Sequence, residues 1–227
     1  MTAPLHYDMI RLLIVKDWQV YQKQLAGYLA GLILALSLIG SGKPWLFNAG
    51  GLLLIVLLVS TGFFAIGHIV MNERKEQTLP FVMSLPVTPV DFYLAKLLAG
   101  LLIYLVPLLL VTSTTAFLVL GTSLPDGLLV YALLIYFFML ASYCVALSAA
   151  LSIESEGWNI FIQMGLMTML SPFMIWAGRI ESVVANLRTD HIVWSPDVLF
   201  VLGAEILIVI LVLTAACWSH ARKESFL

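Results

Sequence analysis

Residues 127–153 read GLLVYALLIYFFMLASYCVALSAALSI, a stretch with no Asp, Glu, Lys or Arg. A helix needs about 20 apolar residues to cross a hydrocarbon layer of about 30 Å. No water reaches a peptide group in that layer, so the segment must satisfy its own N–H and C=O groups, as an α-helix does. A membrane barrel strand would be shorter and would alternate polar with apolar residues. Neither this stretch nor LLLIVLL at 52–58 alternates.

The pattern repeats along the chain. Windows free of those four charged residues run over 24–42, 44–72, 97–125 and 157–178, and a sixth over 198–221 is broken only by Glu205. Of 227 residues, 62% are hydrophobic and 11% charged, against about 25% charged in a soluble domain. The expected fold is all-α and integral to the membrane. It forms one domain over 1–227, surrounded by lipid, with spans at about 25–41, 49–71, 93–120, 128–152, 158–177 and 197–218. A net charge of −2 gives no reason to expect nucleic acid as a partner. Cys144 and Cys217 fall inside expected spans without metal-ligand spacing and read as small apolar fillers. The mostly polar or mixed residues before the first window do not have the pattern of a cleavable signal peptide.

With the N-terminus in the cytoplasm, that side holds Arg11, Lys16, Lys23, Arg74, Lys75, Lys96, Arg222 and Lys223, and the other holds Lys43, Arg179 and Arg188. Positive charge is retained on the cytoplasmic side, so both termini are expected there.

Four stretches interrupt the apolar pattern. In the first, residues 1–24, a helical winding gathers Asp8, Arg11, Gln19 and Gln22 opposite Leu5, Met9, Ile10, Leu13 and Val20. Val15, Lys16 and Asp17 break the pattern. The reading is an amphipathic helix along the interface, or an ordinary polar leader with a short juxtamembrane helix. The second, the loop 72–92, places the charges Glu73, Arg74, Lys75 and Glu76 before an apolar patch of Leu79, Phe81, Val82, Met83 and Leu85. Thr88 as N-cap, Pro89 as first residue and Asp91 three residues after the cap then start a helix. Such a patch in a short loop needs cover, either from the chain's own helices or from a partner's groove.

The third stretch, 178–196, carries Ile180, Val183, Val184, Leu187 and Ile192 among Arg179, Glu181, Arg188 and Asp190. That spacing predicts a short helix on the outer leaflet, with Ser195 and Pro196 opening the sixth span. The fourth is Glu205, about nine residues or roughly 13 Å into that span. An ionisable group there should face the bundle interior or water. It is either a path residue or a hydrogen-bonded link between helices, with Ser113, Thr114 and Thr168 as candidate partners. Pro107 and Pro172 are candidate kinks, and Gly27 with Gly31 forms a small-residue packing pair in the first span.

Familiar catalytic signals are missing. Gly42-Lys43 is followed by Pro44 and lacks the upstream glycine of a phosphate loop. His6, His68, His191 and His220 are scattered, with no two at helical spacing. No chain of buried carboxylates or matched pair of broken helices suggests a secondary carrier. The chain is expected to bind no cofactor and to take any energy from a partner.

Glu73-Arg74-Lys75-Glu76-Gln77-Thr78-Leu79-Pro80, followed by Ser84-Leu85-Pro86-Val87-Thr88, resembles the signature E-[RK]-x-x-G-T-[LW]…[ST]-L-P-[VI]-[ST] of membrane subunits of type 2 ATP-binding-cassette (ABC-2) exporters. Gln77 stands where that pattern usually has Gly. The order of elements is also similar across the chain: interfacial helix, six spans, a loop after the second and a helical loop before the sixth. The resemblance implies a permease in the cell (inner) membrane that pairs with a second, identical or homologous, membrane subunit. Two P-loop ATPase subunits would carry ATP and Mg. Glu73, Arg74, Glu76, Thr78, Leu79, Phe81 and Leu85 would dock on the ATPase, with Glu205 and Thr112, Ser113, Thr114 and Thr115 as candidates for the path. Two rivals remain. One is the haem-exporter-like subunit of cytochrome c maturation, whose loop pattern D-x-x-D-G-[ST]-L-E fits Arg74-Lys75 and Leu79-Pro80 poorly. The other is an ATPase-independent membrane enzyme, scaffold or carrier.

Overall fold

The computed structural model describes residues 7–71, 89–122, 124–187, 189 and 191–221. Among these there is no strand. The helices are α1 (Tyr7–Ile39), α2 (Pro44–Ile66) with a π-helical turn (Gly67–Met71), α3 (Pro89–Gly121), α4 (Leu128–Ser152), α5 (Glu156–Thr168), α6 (Leu170–Ala177), α7 (Glu181–Asn186) and α8 (Pro196–Ala221). Six helical stretches are long and apolar enough to cross a membrane, α5 and α6 together making one of them. The chain is a multi-pass membrane protein. Six crossings place the start of α1, the π turn, the start of α3, the α4–α5 turn and the end of α8 on one face, here the terminal face.

Helix α4, the quoted stretch, is the hub: it packs against α2, α3, α5, α6, α7 and α8. Lipid is as apolar as leucine, so helices associate here by close packing and hydrogen bonds more than by hydrophobic exclusion. Tyr104 of α3 and Tyr143 of α4 stack with ring centroids 4.0 Å apart, and the Tyr143 hydroxyl donates to the Gly100 carbonyl at 2.8 Å. A Cβ on Gly62 of α2 would meet the Tyr143 ring at 3.1 Å and the Tyr104 ring at 3.3 Å. The three helices approach this closely because that position has no side chain.

The first crossing differs from its expected form. The interfacial helix over 1–24 and the span over 25–41 are described, from Tyr7 on, as parts of one unbroken helix. Its buried stripe is Ile10, Leu13, Asp17, Tyr21, Leu25, Leu32, Ala35 and Leu36. Near the terminal face, Ile10 and Leu13 pack with Ala95 of α3. Val20, assigned to the apolar sector by sequence, is 60% exposed. The stripe continues through Asp17 because that side chain has a charged partner on α3, described below.

The glycine packing pair expected on α1 is half realised. A Cβ on Gly31 would touch Leu57 at 3.0 Å, whereas Gly27 has nothing within 4 Å. The closer approach between α1 and α2 is at Gly50, whose Cβ would fall 2.7 Å from the Ala35 carbonyl oxygen.

The proline expectations divide. Helix α3 continues through Pro107. The fifth crossing is interrupted only locally at Met169, between α5 and α6, where Pro172 has no N–H to bond one turn back; the Met169 N–H still donates to Gly165 at 3.1 Å and the Phe173 N–H to Met169 at 3.0 Å. On the far face, Ser195 caps α8 by accepting from the Val198 N–H at 3.3 Å, and α8 starts at Pro196 as expected. The expected outer helix is α7, with Val183 buried against Val130, Leu134, Ala177 and Val198. A Cβ on Gly127 would collide with the Asn186 carbonyl, and the Gly127 N–H donates to Thr189 at 3.2 Å. Glycine is therefore required where the end of α7 lies on the start of α4.

Adjacent glycines of α2 provide a test. Gly50→Ala is expected to lower stability by about 1–3 kcal/mol through overpacking. Gly51→Ala, with nothing within 4 Å of its Cβ, is expected to leave it unchanged or slightly raised. Unfolding midpoints of the two variants in the same detergent check this.

Candidate functional site

Near the terminal face, the structure pairs two charges that the sequence does not relate. Lys96 lies seven residues into α3, roughly 10 Å along the helix, and Asp17 ten residues into α1, roughly 15 Å. The Lys96 ammonium donates to the Asp17 carboxylate at 2.7 Å. Both side chains are buried, Lys96 at 1% and Asp17 at 7% exposure. The more exposed Lys16 adds a longer contact to the same carboxylate at 3.6 Å. Lys96 also lies 5.7 Å from the centroid of the Phe92 ring. Burying either charge alone is severely unfavourable, so the pair holds the start of α3 and the first half of α1 in one register.

The neighbouring end of α2 has its own character. His68 lies in the π-helical turn, its ring 4.3 Å from Phe64 and 6.3 Å from Tyr21 by centroids. This packing fits a structural role for the histidine. π-helical turns are rare and often occur at functional positions; this one ends at the last described residue before 72. The docking candidates Glu73, Arg74, Glu76, Thr78, Leu79, Phe81 and Leu85 lie outside the described residues, as does the Thr88 cap. Helix α3 starts at Pro89, the position expected from the cap pattern.

Within the bundle, the path candidates take different directions. Thr112 and Ser113 donate to carbonyls of their own helix, Leu108 and Leu109, at 2.8 and 2.7 Å. Ser113 is exposed, Thr112 and Thr114 are half-buried, and Thr115 is buried and pairs with the Tyr136 hydroxyl of α4 at 2.9 Å. The four hydroxyls therefore wrap around α3. Glu205 of α8 is buried at 5% exposure, and neither carboxylate oxygen has a hydrogen-bond partner. Thr168 donates to Met164 of its own helix. None of the partners proposed for Glu205 is bonded to it.

Sequence reading missed Asn159 and Gln163. Helix α5 buries these two amides, one turn apart, at 2% and 3% exposure. The Asn159 amide donates to the Ile153 carbonyl at the end of α4, at 3.0 Å, and its own carbonyl oxygen has no partner. Both polar atoms of Gln163 are without partners. A buried polar group left unpaired costs about 1–3 kcal/mol. Two amides at i and i+4 within a span were the available signal, since polar residues at membrane depth mark function by default. Among the described residues, no group of three or more His, Cys, Asp or Glu could hold a metal ion.

Two predictions follow from these contrasting charges. Lys96→Met alone is expected to destabilise the protein by about 3–5 kcal/mol, and Asp17→Asn in addition to restore most of that loss. A double-mutant cycle on unfolding midpoints checks it; strictly additive losses would mean the two charges are not coupled. Glu205→Met is expected to unfold no more readily than the parent, because no bonded partner is abandoned. A loss above about 1 kcal/mol in the same assay would reveal a partner for the carboxyl.

No protein-family model matches the chain, and no curated protein is significantly similar to it.

Proposed function

We propose that the chain is the membrane subunit of an ABC-2 type exporter, forming the translocation path and driven by a separate P-loop ATPase. The observation that carries this reading is the segment 73–88, whose Glu73-Arg74…Thr78-Leu79-Pro80…Ser84-Leu85-Pro86 pattern resembles the coupling signature of such subunits. It lies between the second and third of six apolar helices. Leu79, Phe81 and Leu85 supply the apolar contact with the ATPase, while Glu73, Arg74, Glu76 and Thr78 supply its polar edge. The N-terminal part of α1 shares this contact from the cytoplasm, where both termini lie.

The mechanism uses the chain's own rigid and soft parts. Closure of two ATPase subunits around ATP and Mg pushes on 72–88. The force reaches α3 through Pro89 and α2 through the π turn. The buried Asp17–Lys96 pair makes α1 move with α3, so the push displaces a block of helices. Two such membrane subunits, identical or homologous, then open a path between them to alternate sides. Glu205, buried and unbonded in α8, is the residue of this chain assigned to that path. The small outer loops favour hydrophobic or amphipathic cargo that enters from the bilayer.

Gentle purification of the tagged protein from its native membrane, with mass spectrometry of its companions, tests the reading. A stoichiometric P-loop ATPase is expected. Leu79→Asp/Leu85→Asp is expected to reduce its recovery at least about tenfold, the factor corresponding to loss of a modest contact energy, while the six-helix protein remains folded. If the protein purifies alone and binds no ATPase in nanodiscs, an ATPase-independent membrane enzyme, scaffold or carrier takes precedence.

A further inference from the structure

Helix α1 has 33 residues. At 1.5 Å per residue it is about 50 Å long, well beyond the thickness of the hydrocarbon layer. Its neighbours show where its polar half lies. Asp17 is bonded to Lys96, and α3 carries no Asp, Glu, Lys or Arg from Leu97 onward. The Tyr21 hydroxyl donates to the Thr61 carbonyl at 3.5 Å, and α2 with its π turn carries none of those four residues from there to Met71. Lys23 lies six residues past Asp17, roughly 9 Å further toward the bilayer centre.

This half of α1 turns a basic stripe away from the bundle. Lys16, Gln19 and Lys23 follow one another at spacings of three and four, which places them on one face. Gln19 and Lys23 are exposed, and the Lys16 side chain is 49% exposed beside its longer contact with Asp17. Lys23 has no ion-pair partner among the described residues. Of the two acids in α1, Asp17 is buried and Asp8 lies about two turns before Lys16. Past Lys23 the exposed surface becomes apolar, with Ala30, Ile33 and Leu34 outward.

The order of these groups selects a partner. A lysine at hydrocarbon depth keeps its stem in the apolar layer and carries its ammonium back toward the interface. For Lys23 that direction leads to Gln19 and Lys16. Two cations and an amide donor at headgroup level, with an apolar surface continuing inward, complement a phospholipid of negative headgroup charge. A second copy of the chain is a poorer match. Pairing this face with itself about a two-fold axis would set lysines against lysines, with no acid on the stripe to balance them.

We propose that the Lys16–Gln19–Lys23 stripe binds an anionic phospholipid in the leaflet at the terminal face, its phosphate on the two lysines and an acyl chain along Ala30, Ile33 and Leu34. The proposal stands apart from the exporter reading, because it requires no ATPase and its failure would leave that reading intact.

The test uses the full chain in phosphatidylcholine nanodiscs containing a small fraction of phosphatidylglycerol with a diazirine on its acyl chain. Labelling is expected within 19–34, displaced by unlabelled phosphatidylglycerol and not by phosphatidylcholine of the same chains. Lys23→Gln is expected to lower labelling about fivefold, the effect of one cation beside an anionic surface. Adding Lys16→Gln is expected to bring the loss to roughly twentyfold, the two effects multiplying. Lys23→Arg keeps the charge and is expected to retain labelling, as is Lys43→Gln at the opposite face. Raising the salt concentration is expected to weaken labelling, because the lysines are exposed. Four outcomes would overturn the proposal. Equal competition by phosphatidylcholine would mean ordinary boundary lipid, and equal competition by dissolved glycerol phosphate a site for free phosphate. Labelling that avoids α1 would mean that another protein surface, such as a second copy, covers this face. Undiminished labelling of folded Lys23→Gln would mean that the charge plays no part. If the glutamine variants do not fold, competition between the two lipids on the wild-type chain decides.

Discussion

Hydrocarbon offers no partner to a peptide N–H or C=O, and the organisation of this chain depends on that constraint. Each long apolar window winds into a helix because this keeps its backbone bonds within the segment. The same solvent then weakens the usual reason for helices to associate, since leucine is as comfortable beside lipid as beside leucine. What remains is close contact and hydrogen bonding. Gly50 beneath the Ala35 carbonyl, Gly62 beneath Tyr104 and Tyr143, and Gly127 beneath Asn186 show where backbones approach. The Tyr143–Gly100 and Thr115–Tyr136 bonds add direction to those contacts. Helix α4 takes part in both kinds of contact, as suits its central place.

The buried polar groups fall into two kinds. Asp17 and Lys96 compensate one another at 2.7 Å, and the result is a mechanical joint between α1 and α3. Glu205 and Gln163 have no such compensation. A site that must exchange partners cannot be permanently satisfied by the protein around it. The exporter reading assigns Glu205 to the path, while Gln163 borders a cavity of about 50 Å³ lined by α2, α3, α4, α5 and α6. Rigidity near the terminal face and unsatisfied polarity within the bundle are thus carried by different residues.

Much of the candidate site was legible only in fragments. The pattern at 73–88 is continuous in the chain, so sequence was sufficient to notice it. Along α1 alone Asp17 interrupts an amphipathic pattern, because its partner is 79 residues away. Periodicity along one helix carries no information about a charge on another. Asn159 and Gln163 escape a reading of the sequence for a related reason. An amide in an apolar span can turn toward lipid, a partner or a cavity, and local spacing does not distinguish these. The polar run Thr112 to Thr115 shows the converse. Four consecutive residues cannot share one helical face, and only Thr115 bonds to another helix.

The sequence by itself determined the class of fold, the six apolar helices, the start of α3 at Pro89, the cap of α8 at Ser195 and the presence of α7. These follow from solvent, length and local backbone chemistry, all of which act within a few turns of chain. Tertiary structure alone decided that α1 is unbroken through residue 24, that Asp17 meets Lys96 and that Gln163 borders a cavity. The pairing and the cavity depend on which face of one helix meets which face of another. In lipid that choice rests on shape and a few hydrogen bonds between residues far apart in the chain, and one strand of sequence does not record it.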